Sequence, residues 1–288
     1  MSKIPKYVKI VQMSEQNPRV LNVISQNVLL SKTDVKYGKI LSQEDRINSI
    51  AATLQAFPGQ LDVVGIQEAH KSNIQHNGEY LANSTGHGPG IWIEHNQKLY
   101  PDSPTGRAGE HVGLFGAAVG EDFEAIELGD NRRAIMTEIA GVAFVNLHLR
   151  AGIKARQMRY KQALELIDAL VDYDDAVVMG DFNEPPIPYF CKARDTLRSS
   201  GFESSFDLTK QPHPITFPSP DYRKNTKTEM LWSLDDILVR GERIQVLGAG
   251  VVDKVVQIDP VVDEKTPTHV PRSGSDHEGI WAQLKIEN

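Results

Sequence analysis

The chain has one cysteine, Cys191, in 288 residues. A single thiol excludes an intrachain disulfide framework and any structural zinc site built on several cysteines. No apolar run approaches the roughly 18 residues that a transmembrane helix needs. The opening stretch, MSKIPKYVKIVQ, has neither an apolar h-region nor a small-residue cleavage site, so the expected location is the cytoplasm. Internal repeats, heptads and low-complexity tracts are missing. Cations are outnumbered, 31 Lys and Arg against 38 Asp and Glu, for a net charge of −7. That balance excludes a protein that coats nucleic acid non-specifically, while leaving room for a local basic groove. Aromatic residues are sparse and do not interleave with basic ones, so no single-strand channel is announced.

What remains is an ordinary globular composition, 40% hydrophobic and 24% charged. No composition shift marks a boundary. The expectation is one domain over residues 1–288, with a core from about residue 20 to 286. Six β-branched-rich runs have strand length: Val20 to Asn27, Leu61 to Glu68, Val142 to Leu149, Ala176 to Asn183, Trp232 to Val239 and Ile280 to Ile286. Several stop at a polar residue, which is how many α/β proteins build a site along one sheet edge. Two segments carry apolar residues at helical spacing. Ser42 to Phe57 opens near a capping box with Asp45 and is stopped by Pro58 and Gly59; the second is Ala155 to Val171. Two tracts rich in Gly, Pro, Asn and Ser, about 71–110 and 211–230, read as long irregular loops.

Chemistry collects at the strand ends. Glu68 follows the buried run Val63 to Ile66, so its carboxylate needs a partner, either a basic side chain or a cation. Asp181 and Asn183 share a face if the chain stays extended there; a carboxylate and an amide on one face hold a water, a phosphoryl oxygen or a hard cation. Asn146 and His148 share a face two residues apart. Asp235 and Asp236 are adjacent, so only one faces a site. A carboxylate set to orient a histidine is one way to make its burial tolerable. Asp276 and His277 share a site only if they lie in a loop. Taken singly, each of these has a bland reading as a turn, a cap, a salt bridge or a core histidine.

Taken in order, SQN, GIQE, NLHL, GDFN, LDDILV and SDH resemble the endonuclease/exonuclease/phosphatase superfamily, the fold group of the pancreatic-type deoxyribonucleases, over nearly the whole chain. The resemblance implies an α/β fold, a four-layer αββα sandwich of two packed mixed sheets flanked by helices. It implies hydrolysis of phosphoester bonds with Mg²⁺ or Mn²⁺. It places Glu68 as principal metal ligand, with Asn27 and Asp276 in the metal shell. Asp181 and Asn183 then orient water and the phosphoryl group, and His148 donates to a phosphoryl oxygen. His277, paired with Asp235, serves as general base or electrostatic stabiliser. Glu110 falls where some members place an acidic or tyrosine residue beside the leaving group. The sequence departs from the usual pattern at Leu147, where a Thr is common, and at Asp236, where an aromatic residue or His is common.

For substrate, the sequence offers five basic residues without an acidic one, Arg150, Lys154, Arg156, Arg159 and Lys161, and the smaller clusters Arg132–Arg133 and Arg223–Lys224. Arg150 follows the histidine strand closely and is expected to touch substrate. The tract Ile215 to Ser219 resembles loops beside the site in nucleic-acid-processing members. The expected partner is therefore a nucleic acid or a nucleic acid end, with no membrane. A small-molecule or lipid phosphoester is the alternative, although the polar loops weigh against lipid. A scaffold that has lost catalysis ranks lower, because the core polar positions are present. Five histidines, His70, His76, His87, His95 and His111, are too irregularly spaced to argue for zinc.

Overall fold

The central strands of the protein are buried on both faces, so hydrophobic residues run through them almost without a break. In the computed structural model the described residues are 18–28, 43–70, 77–96, 110–184, 191–217, 231–252, 275 and 277–287. The first sheet comprises β1 (Arg19–Asn27), β2 (Val63–His70), β3 (Ile91–Asn96), β4 (Glu110–Phe115), β11 (Ile244–Val251) and β12 (Ile280–Ile286), in the order β11-β12-β1-β2-β4-β3. The second comprises β5 (Glu124–Glu127), β6 (Arg133–Ile139), β7 (Val142–His148), β8 (Ala176–Asp181), β9 (Glu203–Ser204) and β10 (Asp235–Arg240), in the order β5-β6-β7-β8-β10-β9. Each sheet is antiparallel except for one pair near its middle, β1 with β2 and β7 with β8. A helix lies between the strands of each parallel pair in the chain, as such a crossover requires. These helices are α1 (Gln43–Gln55) and α3 (Arg156–Ala169).

Strand alternation sorts the side chains into layers. Val23, Val63, Phe144, Val177, Met179 and Ile237 meet between the sheets. Their neighbours Ile24 and Val64 turn outward to pack with Ile50 and Leu54 of α1 and Leu81 of α2 (Asn77–Ser84). On the far side, Val145, Leu147 and Val178 pack with Leu166 of α3 and Leu197 of α4 (Lys192–Ser199). Helix, sheet, sheet and helix make four layers, the expected αββα sandwich. Since Phe144 faces inward, so do Asn146 and His148; since Met179 faces inward, so does Asp181. The polar strand ends thus converge at one edge of the inter-sheet space.

The structure differs from the sequence expectation in places. The tract 71–110 contains α2, β3 and the first residue of β4 rather than one loop. Helix α3 begins at Arg156, after a 3₁₀ turn at Ile153–Ala155. Met158 and Leu164, two of the apolar residues at helical spacing within it, are exposed. The capping residue Ser42 and the Arg223–Lys224 cluster lie outside the described residues. Among the described residues, no helix is long and apolar enough to cross a membrane.

Candidate active site

Glu68 reaches the cleft because β2 does not stay regular. The pairing of β2 with β4 slips between Ile66 and Ala69, and Glu68 sits in the slip with φ at 58°, a left-handed conformation that non-glycine residues avoid. Its Oε1 accepts from Asn27 Nδ2 at 3.0 Å, and the same amide donates to Asp181 Oδ2 at 3.0 Å. The slip is braced from the opposite sheet. Asn146 Nδ2 donates to the carbonyls of Ile66 and Gly113, both at 2.8 Å, while its Oδ1 accepts from Gln67 Nε2 at 2.6 Å. Gly65 makes the room: a Cβ there would lie 2.9 Å from Asn146 Cγ.

Two carboxylate–imidazole pairs face each other across Asp181. His148 Nδ1 lies 2.9 Å from Glu110 Oε1, and its Nε2 lies 3.6 Å from Asp181 Oδ2 and 4.0 Å from Glu68 Oε1. His277 Nδ1 lies 2.8 Å from Asp235 Oδ2, and its Nε2 lies 3.7 Å from Asp181 Oδ2. Burial alone would push the His148 pKa down, but the Glu110 carboxylate, with help from Asp181 and against Arg132, turns the net shift upward. Burial pushes the Asp181 pKa up and Asp235 adds to this, while the two imidazoles and the Asn183 amide pull against it.

Local chain geometry sets these groups. Gly180 pairs with Leu147 and has φ at 143°; a Cβ there would stand 2.0 Å from the Leu147 carbonyl oxygen, so the glycine of GDFN allows the parallel strands to close. Asn183 is not extended. With φ at 51° it curls back, its N–H donating to Asp181 Oδ1 at 2.7 Å and its Nδ2 to the Leu149 carbonyl at 3.0 Å. The expectation of a shared extended face with Asp181 is corrected accordingly. Of the adjacent aspartates, Asp235 faces His277 and Asp236 faces away, to Ser204 Oγ at 2.7 Å and Arg194 Nη1 at 3.3 Å. The Ser275 hydroxyl donates to the Asn27 carbonyl at 2.7 Å and accepts from the His277 N–H at 3.1 Å. Asp276 lies outside the described residues.

The basic strip is less uniform than its sequence suggests. Arg159 is buried: its Nη1 donates to the carbonyls of Arg150 and Gly152 at 2.9 and 2.8 Å, and its Nε faces Glu184 at 3.4 Å. The Arg150 Nε lies 3.4 Å from Asp130. Arg132 is buried with Nη1 3.6 Å from Glu110. That Arg132 converges on the cleft was hard to read in sequence, since it ends no recognisable strand run; Asn146 was signalled only by its two-residue spacing from His148, and Glu110 only by the family resemblance.

Glu68, Glu110 and His148 place one donor atom each within 4.8 Å of one another, as do Asp181, Asp235 and His277. Carboxylate oxygens with an imidazole at such spacing suit a hard or borderline divalent cation, and the donor set fits one.

A sandwich of two mixed sheets between helices, with an acidic, histidine-bearing cleft at one edge, defines a known class of protein. The chain belongs to the Endonuclease/Exonuclease/phosphatase family, whose model matches residues 24–277. Members of that family are phosphoester hydrolases and generally use a divalent metal. Among solved structures, the chain is similar to a family protein from Bacteroides thetaiotaomicron, with 19% identity and a TM-score of 0.67, over 95% of this chain and 100% of that one. It is similar to D. rerio TDP2 complexed with single strand DNA product, with 16% identity and a TM-score of 0.63, over 92% and 98%. It is also similar to a mannosyl-6-phosphatase from Bacteroides thetaiotaomicron, with 19% identity and a TM-score of 0.64, over 92% and 99%. Comparison with curated proteins gives no match.

Proposed function

We propose that the protein is a divalent-metal-dependent phosphoester hydrolase acting on nucleic acid or on a phosphoester at a nucleic acid end. The observation that carries the hydrolase reading is the Asp181 carboxylate, 3.6 and 3.7 Å from two imidazoles that are each backed by a carboxylate. Glu68, with Asn27 beside it and Asp276 as a further ligand, would hold Mg²⁺ or Mn²⁺, which supplies charge neutralisation and Lewis acidity to the phosphoryl group. Asp235 holds the Nδ1–H of His277, leaving Nε2 to take a proton from water or to stabilise charge. Asp181 is the other proton acceptor in reach, since its raised pKa suits that task. Glu110 keeps a proton on His148, whose Nε2–H then donates to a phosphoryl oxygen. Asn183 orients the phosphoryl group beside Asp181.

The nucleic acid reading rests on the exposed Lys154 and Lys161 with the half-buried Arg156, close in sequence to the histidine strand, and on likeness to a protein solved with single strand DNA product. A second reading, a small soluble phosphoester, is favoured by the engagement of Arg150, Arg159 and Arg132 with Asp130, Glu184 and Glu110, which removes three cations from the phosphate-binding surface. Turnover of a phosphoester panel with and without Mg²⁺, spanning DNA ends, RNA and sugar phosphates, tests the hydrolase reading; undiminished turnover in EDTA would overturn the metal mechanism. Binding of Glu68→Gln protein to oligonucleotides of increasing length separates the substrates. A nucleic acid enzyme shows a salt slope of roughly −0.7 to −0.9 per phosphate contacted. Salt-insensitive, length-independent binding with faster turnover of a sugar phosphate establishes the second reading.

A further inference from the structure

Thr216 lies in none of the strand-end motifs, yet it touches both sides of the His277–Asp235 pair. It is fully buried. Its Oγ1 accepts from the N–H of Leu234 at 2.9 Å and of Asp235 at 3.2 Å. Its own N–H donates to the Trp232 carbonyl at 3.0 Å, and its carbonyl accepts from the N–H of Glu278, the residue after His277, at 2.8 Å. The following residue, Phe217, bridges back to Trp232, and its ring centroid lies 5.1 Å from that of His277. Leu234 is held from the other side as well, its carbonyl accepting from the Phe182 N–H at 3.0 Å and from Arg194 Nη2 at 2.9 Å.

Two buried amides at the start of β10 therefore depend on one hydroxyl, and the imidazole-bearing segment depends on the carbonyl of the same residue. A buried donor without an acceptor is expensive, so the hydroxyl decides where the chain enters β10. Branching at Cβ restricts χ1 and fixes the direction in which that hydroxyl points. The Asp235 carboxylate and the His277 ring are thus referred to one frame by a residue that touches neither side chain through a hydrogen bond.

We propose that Thr216 is a positioning residue for hydrolysis: it sets the mutual geometry of Asp235 and His277. This rests on the hydrolase reading above. Misplacement of reacting groups by about 1 Å lowers rates by on the order of 100-fold, so the effect belongs to turnover and not to affinity.

Thr216→Val keeps the shape and removes the acceptor; Thr216→Ser keeps the acceptor. On whichever panel ester the wild-type protein hydrolyses with Mg²⁺, Thr216→Val should lower kcat by roughly 10- to 100-fold, with KM little changed. Thr216→Ser should restore most of the rate. In an Asp235→Asn background, Thr216→Val should add little, because both changes disable the same pair. Hydrogen exchange at the Leu234 and Asp235 amides should quicken in Thr216→Val while the rest of β10 stays protected. Thr216→Ala gives the same comparison if Thr216→Val does not fold. Wild-type kcat in the Val variant, or full multiplication of the two effects, would overturn the proposal. Failure of the wild-type protein to hydrolyse any panel ester would instead overturn the hydrolase reading. The exchange measurement would then still decide whether Thr216 fixes the pair, and unchanged exchange would sink it.

Discussion

Asp235 and Asp236 are neighbours, both fully buried, with opposite surroundings. Asp235 turns between the sheets to His277, and Asp236 turns outward to Arg194 and Ser204. Asp235→Asn should therefore abolish most turnover with little loss of stability. Asp236→Asn leaves the buried Arg194 without its counter-charge. Breaking such a pair costs about 3–5 kcal/mol, so a lower Tm with near-normal turnover per folded molecule is expected, and thermal melts beside kinetics check both. The reverse order of effects would mean that β10 has the other register. That only one of the two aspartates faces inward was legible from strand alternation, and the family motif singled out Asp235. The fate of the arginines was not: nothing local distinguishes the buried Arg159 from the exposed Lys161, because burial comes from Glu184 and from two carbonyls at the end of the histidine strand.

At the scale of elements, the slip in β2 is the feature on which the proposed metal binding turns, and Asn146 of the other sheet braces it. Asn146→Ala would leave the Ile66 and Gly113 carbonyls without their donor, at about 1–3 kcal/mol each. It should also weaken Mg²⁺ binding measured by calorimetry, although Asn146 is no ligand. A variant that loses stability but binds Mg²⁺ like the wild type would separate the brace from the site. Strands such as β7 and β8 were legible because burial on both faces writes continuous apolar runs. β3, β4 and β11 were not. β4 is six residues long with Gly113 in its middle, where a Cβ would meet the Trp92 ring at 2.1 Å. β11 carries two glycines and is half exposed at the sheet edge. Slips such as that at Glu68 leave no trace in hydrophobic periodicity; only the GIQE motif marked the place.

For the molecule as a whole, a cation held at Glu68 binds the folded state and not the unfolded chain, so it should raise stability. At 100 times its Kd the gain is about 2.7 kcal/mol. Tm should rise with added Mg²⁺ in wild-type protein and stay flat in Glu68→Gln; an equal rise in both would place the ion elsewhere. The sheet order has another consequence, for synthesis. The second sheet is drawn from one continuous stretch, Glu124 to Arg240. The first is not: β12 lies between β1 and β11, so β1 has its antiparallel neighbour only after residue 280 has been made. At ~5–20 residues per second, β1 emerges roughly 13–50 s before that neighbour. During that interval β1 exposes an unpaired edge, which invites pairing with other chains. The completed cleft needs His277, three residues before β12 begins. The cleft of a nascent chain therefore stays incomplete until the last strand is about to be made.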